Sequence, residues 1–414
     1  MGKMDQTDIY NREGKNTAAK GKLYESGISQ RNKNLILEFL DYKTSEEGIS
    51  IGRQTKYLCN LRIVAECLDK PFDEITQDGV KTLLKRIFSR KVKRGGTDKN
   101  PVMKPMSQRT KEDYAIQLKT LFRYMEEAGY PVKHEWVKIP KREKPRRLRP
   151  DEIITWEDAV KLSKSAMNPR DRALPQVLWE CGGRIEELLT LLLRDVESAN
   201  GGDALKLHFN QSKTEIRSPV IVRSAPALIH WIENHPLGDN KNAPLWVKVS
   251  GGNRAMDYAT AAKVLKDLKR RSGLDKPVNP HQFRKSSASY FAQFLSDQET
   301  KKRFGWTPDS SMLQIYCHMD EERINDKIMG IEGVKKVEVK KEEEVKAERC
   351  KWCNKLNPAG QEYCVLCKRP LNADENLLVS QIKDSVSDGL REFVEDNPEM
   401  LNSFLKFMKG KVGV

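Results

Sequence analysis

Apolar residues recur at helical spacing four times between residues 28 and 130, which predicts four amphipathic helices. Thr76 and Ser107 are placed to cap the third and fourth helices, and Gly129 is placed to end the fourth. This run predicts a small helical domain over 28–130, preceded by a flexible polar tail over 1–27. The four stripes are Leu35, Ile36, Phe39 and Leu40; Tyr57, Leu58, Leu61, Val64 and Leu68; Val80, Leu83, Leu84, Ile87 and Phe88; and Tyr114, Leu118, Leu121, Phe122 and Met125.

A basic segment interrupted by prolines follows over residues 131–152 and predicts an extended linker between two domains. Between Lys133 and Arg149 it carries eight Lys or Arg against two Glu. Such a segment could follow a phosphate backbone, and a merely solvated linker is the alternative.

A second domain is predicted over residues 153–334, where Thr155 and Asp158 resemble a capping box at its first helix. Two short segments of β type, 205–209 and 217–222, interrupt the helical patterns and predict a hairpin. The whole chain is therefore expected to be mainly α (α+β): a helical domain, then a mostly helical domain with a small β-sheet. A charged linker over 335–348, a small cysteine-rich module over 349–372 and an amphipathic helical segment over 373–414 complete the organisation.

Composition adds a partner class to this picture. The formal net charge is +15, which favours a polyanion such as nucleic acid, although charge alone leaves a basic soluble protein equally open. No apolar run approaches the roughly 20 residues that cross a bilayer, and the polar N-terminus has no signal-peptide core. We therefore expect a cytoplasmic protein without a membrane partner.

Two candidate cationic residues lie in the second domain. Arg184 follows two glycines at the start of an apolar helix, where an anion would be favoured, although a surface arginine on a helical first turn is the better explanation of this piece alone. Lys213 lies at the tip of the predicted hairpin, which can carry a lysine into a groove. Neither residue is informative alone.

Four further candidates lie downstream. The spacing of His281 and Arg284 puts an imidazole and a guanidinium on one helical face, which suits a phosphate. Trp306 follows a Phe-Gly pair, and Tyr316 comes ten residues later. A phenol is a weak nucleophile because its pKa is near 10, and it becomes usable when cationic neighbours stabilise the phenolate.

Taken as a set, these residues resemble the tyrosine recombinase (phage integrase) family, in which Arg, Lys, His-x-x-Arg, His or Trp, and Tyr occur in this order. The resemblance covers about residues 28–330, and the segment around the tyrosine looks more like archaeal members. The matching positions are Arg184, Lys213, His281, Arg284, Trp306 and Tyr316.

The resemblance implies a role for each residue. Arg184 and Arg284 would hold the nonbridging oxygens of the scissile phosphate, and Lys213 would protonate the 5′-oxygen. His281 would assist proton transfer at Tyr316, the nucleophile. The product would be a 3′-phosphotyrosyl linkage, formed without ATP or a catalytic metal.

Two further positions follow from the same resemblance. Trp306 would pack against the phosphate site, and Glu187 matches an acidic position that orients this site.

The partner that the resemblance implies is double-stranded DNA. The protein would bind paired DNA sites as a homotetramer and would be a monomer or dimer when free. The alternatives are a non-catalytic DNA-binding regulator or decayed integrase on the same fold, and a type IB topoisomerase.

The cysteine-rich module carries a separate signal. Two CxxC pairs with ten residues between them provide four thiolates for a tetrahedral ion, and zinc is the natural choice. Redox thiols and an iron–sulfur site remain alternatives. A module with so few apolar residues needs the metal to fold, so the zinc is expected to be structural. The candidate ligands are Cys350, Cys353, Cys364 and Cys367.

Overall fold

The structure is a computed structural model that describes residues 8–96, 100–141, 149–200, 203–210, 216–250, 252–313 and 346–371, with the single positions 325, 328, 329 and 332. The chain divides into two compact units, 1–147 with 257–259 and 148–256 with 260–414. Among the described residues, no helix combines the length and the apolar content that a bilayer crossing requires.

The first unit contains the four predicted helices, and their apolar stripes form its core. The predicted caps are present: the Thr76 hydroxyl accepts from the Gly79 amide at 3.2 Å, and the Ser107 hydroxyl accepts from the Thr110 amide at 3.3 Å. The helices of this unit are α1 Arg12–Glu25, α2 Gln30–Ser45, α3 Ile51–Glu66, α4 Gln77–Ser89 and α5 Gln108–Glu127.

The prediction of a flexible tail over 1–27 is wrong for residues 12–25, which form α1. This helix packs against α3, with Ala19 and Leu23 buried in the core and the Asn16 amide donating to the Thr55 hydroxyl at 3.1 Å. The sequence gives little sign of it because α1 buries only two apolar side chains, and one of these is the small side chain of alanine.

A β-hairpin was also missed in the first unit. Its strands are β1 Lys91–Gly96 and β2 Pro101–Pro105, which pair antiparallel. Residues along β2 are exposed, so the segment lacks the alternation of buried and exposed positions that identifies a strand from sequence.

The predicted linker over 131–152 is wrong at its beginning. Val132 and Val137 are about 1% exposed and belong to the core of the first unit, with a short 3₁₀ turn over His134–Trp136 between them. Prolines do discourage a long helix here, but two isolated valines suffice to fasten the segment to the helical core.

The second unit is mostly helical, as predicted, around a three-stranded antiparallel sheet in the order β3-β4-β5. The capping box of Thr155 and Asp158 begins its first helix. The predicted hairpin is present as β4 and β5, and β3 adds an unpredicted edge strand. Its elements are α6 Trp156–Lys164, α7 Pro169–Cys181, α8 Ile185–Leu189, β3 Val196–Ala199, β4 Ala204–Leu207, β5 Val220–Ile221, α9 Ala225–Glu233, α10 Tyr258–Ser272, α11 Pro280–Phe291, α12 Asp297–Phe304, β6 Glu348–Arg349 and β7 Leu356–Asn357.

Helix α7 is the central element of this unit, because it packs against α6, α9 and α11. Near its end, the buried Glu180 carboxylate accepts from the amides of Val222 at 2.8 Å, Arg223 at 3.0 Å and Ser224 at 2.7 Å. These bonds fasten the end of β5 and the start of α9 to α7. The end of α7 is therefore held in place, and the segment that carries Arg184 starts from this fixed point.

Candidate active site and cysteine cluster

The C-terminal end of α12 gathers three arginine side chains. The last carbonyl oxygens of a helix have no partner within the helix, and its dipole favours cations there. The distances are 2.5 Å from Arg284 Nη2 to the Phe304 oxygen and 3.2 Å from Arg184 Nη2 to the Gly305 oxygen. Three successive carbonyls are used: Arg303 accepts from Arg217, Phe304 from Arg284 and Gly305 from Arg184.

Arg184 immediately precedes α8, as the sequence predicted, and is held from two sides. Its Nη1 donates to the Glu187 carboxylate at 2.8 Å, and its backbone amide donates to the other oxygen of that carboxylate at 2.7 Å. The side chain of Arg184 is 31% exposed, whereas that of Glu187 is 2% exposed. Arg184 is thus a fixed cation that solvent, or a ligand, can still reach.

Glu187 has a second partner that sequence reasoning missed. Arg217 Nη2 donates to Glu187 Oε2 at 2.5 Å, and its own side chain is only 5% exposed. Burial alone would raise the pKa of Glu187, but Arg217 and then the donors of Arg184 outweigh it and lower that pKa. Glu187 is therefore an ionised carboxylate between two arginines.

A signal for Arg217 exists in the sequence. Arg217, Pro219 and Ile221 alternate along the second strand of the hairpin, and all three are buried. Because side chains alternate between the two faces of a strand, Arg217 lies on the same face as Ile221. The sequence pattern therefore puts a charged residue on the buried face of this strand. A buried arginine needs a buried carboxylate, and Glu187 provides it.

Arg284 lies on α11 and is buried. Besides the Phe304 carbonyl, it donates to the Gly182 carbonyl at 2.8 Å. Its guanidinium lies 5.6 Å from the ring centres of both Phe304 and Trp306, and these two rings stack at 5.3 Å. Arg284 and Trp306 thus share one cluster, as the set of predicted site residues requires.

Gly182 allows this cluster to close. It has a φ of 56°, and a Cβ there would lie 2.3 Å from the Phe304 ring and 2.7 Å from the Ser287 hydroxyl. The left-handed conformation and the close approach both exclude a side chain. This is the structural reason for a glycine two residues before Arg184.

His281 is the second residue of α11 and is exposed, three residues before the buried Arg284. Partial desolvation of the ring, and then the charges of Lys285 and Arg284, lower the pKa of His281 below its ordinary value. The imidazole is consequently neutral at neutral pH and can accept a proton.

Two predicted site residues, Lys213 and Tyr316, lie outside the described residues. The structure does describe the strands on either side of Lys213, where Phe209 pairs with Arg217. Tyr290 packs against Trp179 at 4.9 Å, and its hydroxyl accepts from Arg223 at 2.7 Å, so this tyrosine belongs to an aromatic cluster.

The four cysteines of the C-terminal module form one cluster. Their Sγ atoms all lie within 4.8 Å of one another, with 3.6 Å from Cys350 to Cys367 and 3.5 Å from Cys353 to Cys364. Four sulfurs about 2.3 Å from a tetrahedral zinc would be about 3.8 Å apart, so the donor set and its spacing fit that ion.

The two CxxC pairs have the same backbone geometry. The amide of Cys350 donates to the Lys355 carbonyl, and the amide of Cys364 donates to the Arg369 carbonyl. The residue after each pair is left-handed, with a φ of 57° at Asn354 and 62° at Lys368. Asparagine adopts this conformation more readily than lysine does, yet both residues have it here.

The cysteine module is packed against helices of the second unit. Arg172 on α7 donates to the Gln361 side chain at 3.0 Å, and Lys355 pairs with Glu233 of α9 at 2.5 Å. A Cβ on Gly360 would lie 2.7 Å from Val160 of α6. The module therefore covers parts of α6, α7 and α9.

Comparison with known proteins matches this arrangement to one family. Residues 146–323 match the phage integrase family. Tyrosine recombinase XerC of Alcanivorax borkumensis is 25% identical over 295 residues, which covers 68% of this chain and 88% of the relative.

Two solved structures share the fold. A lambda integrase dimer bound to a COC′ core site has a TM-score of 0.51 at 16% identity, covering 69% of this chain and 79% of that one. XerH site-specific recombinase bound to difH substrate, in a pre-cleavage complex, has a TM-score of 0.50 at 18% identity, covering 79% and 97%.

The matched segment begins just before α6 and includes every predicted catalytic position, so the second unit contains a phage integrase (tyrosine recombinase) domain and is the catalytic unit. The curated relatives are tyrosine recombinases, enzymes that cleave and rejoin DNA strands in site-specific recombination. The family expected from the order of six residues is confirmed.

Proposed function

We propose that Tyr316 is the nucleophile of this recombinase and that Arg184, Lys213, His281, Arg284 and Trp306 complete its active site. The observation that carries the proposal is the convergence of Arg184 and Arg284 on two successive carbonyls at the end of α12. Two guanidiniums fixed side by side form a site for a doubly contacted phosphate.

The chemistry follows from these side chains. The Tyr316 oxygen attacks phosphorus, the bond to the 5′-oxygen breaks, and a 3′-phosphotyrosyl linkage forms. His281 accepts the phenol proton, and Lys213 donates a proton to the departing 5′-oxygen. Arg184 and Arg284 neutralise the charge that builds on the nonbridging oxygens. The linkage keeps the energy of the phosphodiester, so the 5′-hydroxyl of another strand can reverse the step.

The proposed partner is double-stranded DNA, bound by a homotetramer on two paired sites. The net charge of +15 favours a polyanion, and a neighbour in fold is a lambda integrase dimer on its core site. We also propose that the protein works in the cytoplasm. We propose further that it is of the archaeal type, and this second proposal rests on the sequence around Tyr316 alone.

The first test is Tyr316→Phe, which removes only the nucleophilic oxygen. Wild-type protein incubated with a nicked suicide substrate should form a covalent protein–DNA band on a denaturing gel. The variant should lose that band while its affinity for the same DNA is retained, as measured by gel shift.

A covalent band that persists in Tyr316→Phe would show that another residue is the nucleophile. A wild-type protein that binds DNA but forms no band would favour a non-catalytic regulator. Relaxation of supercoiled DNA that lacks a recombination site would favour a type IB topoisomerase.

We propose further that Cys350, Cys353, Cys364 and Cys367 hold one structural zinc ion, which would fasten the module and take no part in cleavage. The four-thiolate donor set and the matching backbone geometry of the two pairs support zinc. Metal ligation at about 10–16 kcal/mol apparent would provide the stability that so short a segment lacks.

Elemental analysis of protein purified without added metal should give one zinc per chain, and Cys353→Ser should lower that content. Cys181→Ser is the matched control, because burial raises the pKa of that thiol to about 11 and it lies outside the cluster. Zinc near zero with four titratable thiols in the module would refute the site.

A further inference from the structure

We infer that Arg217 is a positioning residue for cleavage, because it compensates the charge of Glu187 and so leaves the charge of Arg184 for the DNA phosphate. This inference rests on the proposed function, in which Arg184 binds the scissile phosphate. Arg217 itself is buried and is not proposed to touch DNA.

The charge of Glu187 is shared between two arginines. Glu187 is nearly completely buried and bonds to Arg184 at 2.8 Å and to Arg217 at 2.5 Å. If Arg184 were its only partner, the pair would be neutral and the anion would draw that guanidinium away from any ligand. With Arg217 present, the three residues carry one net positive charge. The partly exposed Arg184 is the end at which that charge can act.

Arg217 also connects the buried carboxylate to the end of α12. Arg217 contacts Glu187 with one nitrogen and the Arg303 carbonyl with another, and it lies over the Phe209 ring at 5.1 Å. The same turn of chain that accepts from Arg217 accepts from Arg284 and Arg184 one and two residues later. Arg217 therefore fixes the distance between the Glu187 carboxylate and the end of α12, and Arg184 spans that distance.

The Arg217 side chain also occupies the space beside Gly305. Gly305 has a φ of 58°, and a Cβ there would lie 3.0 Å from Arg217 Nε and 3.2 Å from its Cδ. The turn that carries the Gly305 carbonyl thus lies directly against the Arg217 side chain. A smaller or neutral residue at 217 would leave both the carboxylate and this turn without their support.

The test is Arg217→Gln, which keeps an amide donor and removes the charge. We expect single-turnover cleavage of a suicide substrate at saturating DNA to fall about 100-fold, the range for the loss of transition-state stabilisation. DNA affinity should stay within about threefold, because other residues bind the phosphate backbone. Arg194→Gln, an exposed arginine of the same unit, is the control and should cleave at the wild-type rate.

The effect of Arg217→Gln in the Arg184→Ala background distinguishes the positioning role from a purely structural role. If Arg217 acts through Arg184, adding Arg217→Gln to Arg184→Ala should cause little further loss. Arg217→Lys keeps the positive charge but lacks the branched guanidinium that reaches both Glu187 and the Arg303 carbonyl. This variant should cleave about tenfold faster than Arg217→Gln. A wild-type rate in folded Arg217→Gln, or an equal loss in both backgrounds, would overturn the inference.

If Arg217→Gln does not fold, as judged by its thermal transition, Arg217→Lys takes its place in the same comparison. A decrease of about tenfold that disappears in the Arg184→Ala background supports the positioning role. No decrease, or the same decrease in both backgrounds, overturns it. Failure of the proposed function gives a different result: the wild-type protein then forms no covalent complex through Tyr316.

Discussion

At the scale of single residues, the site depends on which arginines are exposed. Arg184 is partly accessible, whereas Arg217 and Arg284 are nearly completely buried. Buried guanidiniums retain their charge because each is bonded to a carboxylate or to main-chain carbonyls. Of the two arginines proposed to hold the phosphate, Arg184 is therefore the more accessible, and Arg217 lies buried behind it.

The histidine on the same site has a pH dependence that can be measured. The pKa of His281 is lowered from its ordinary value of 6.5, so the neutral base is present at neutral pH and is lost as the pH falls through that lowered value. We expect single-turnover cleavage to decrease with a midpoint below pH 6.5. His281→Gln should be slow and lack this decrease.

His230→Gln, on α9, is the control for that measurement and should keep the wild-type profile. An unchanged profile in His281→Gln, at whatever absolute rate, would assign the acid limb to another group. The assignment of His281 as the proton acceptor would then fail while Tyr316 could remain the nucleophile.

At the scale of elements, the C-terminal end of α12 is the point on which three other segments converge. The three side chains are those of Arg184 before α8, Arg217 before β5 and Arg284 on α11. They meet at carbonyls that a helix leaves without partners. A helix end thus serves as a scaffold that sets the distances between the guanidinium groups of three arginines. Gly305 makes this possible by ending the helix in the left-handed conformation.

Gly305→Ala tests that scaffold. A left-handed alanine costs about 1–2 kcal/mol, and the new methyl group would also press on Arg217. We expect the melting temperature to fall by about 2–8 °C and cleavage to fall more than stability explains. Gly252→Ala is the matched control, since Gly252 has a φ of 87° with nothing near its Cβ.

The two variants separate strain from displacement. Gly252→Ala should show the cost of the backbone conformation with wild-type cleavage at 25 °C. If Gly305→Ala also cleaved at the wild-type rate, the contact with Arg217 would have no part in arranging the site.

At the scale of the whole chain, the cysteine module adds a patch of packing to the catalytic unit, and under the proposed zinc site this packing depends on metal. Lys355 and Glu233 form an ion pair that is partly exposed and worth little by itself. The close fit of Gly360 against Val160 and the complete burial of Ala359 contribute more. The stability of the catalytic unit should therefore respond to zinc.

We expect removal of zinc by chelation to lower the melting temperature of the catalytic unit by several degrees, because the packing against α6 is lost with the folded module. Cleavage at 25 °C should persist, since the contacts that hold the module in place are made with α6, α7 and α9. Gly360→Ala should lower the melting temperature in the same way while retaining zinc.

Leu366→Ala is the control for this prediction, because that side chain is 64% exposed. A melting temperature that is indifferent to chelation and to Gly360→Ala would mean that the module folds independently of the unit on which it lies. Loss of cleavage on chelation would instead give the module a part in assembling the active site.

Much of this protein is determined by local sequence. The four helices of the first unit, the caps at Thr76 and Ser107, and the hairpin around Lys213 follow from spacing and from side chains that bond to nearby backbone. The cysteine cluster is equally local, because both pairs and their turns lie within 20 residues. The six recombinase positions were found by their order alone, which requires no knowledge of packing.

The tertiary structure decided the features that depend on distant partners. Helix α1 has too few apolar residues to be recognised until α3 provides the surface that buries them. Arg217 is an ordinary charged residue in the sequence, and it becomes part of the site because Glu187, thirty residues away, lies buried beside it. Burial and long-range charge are properties of the packed chain, and local spacing carries no information about which carboxylate a buried arginine will meet.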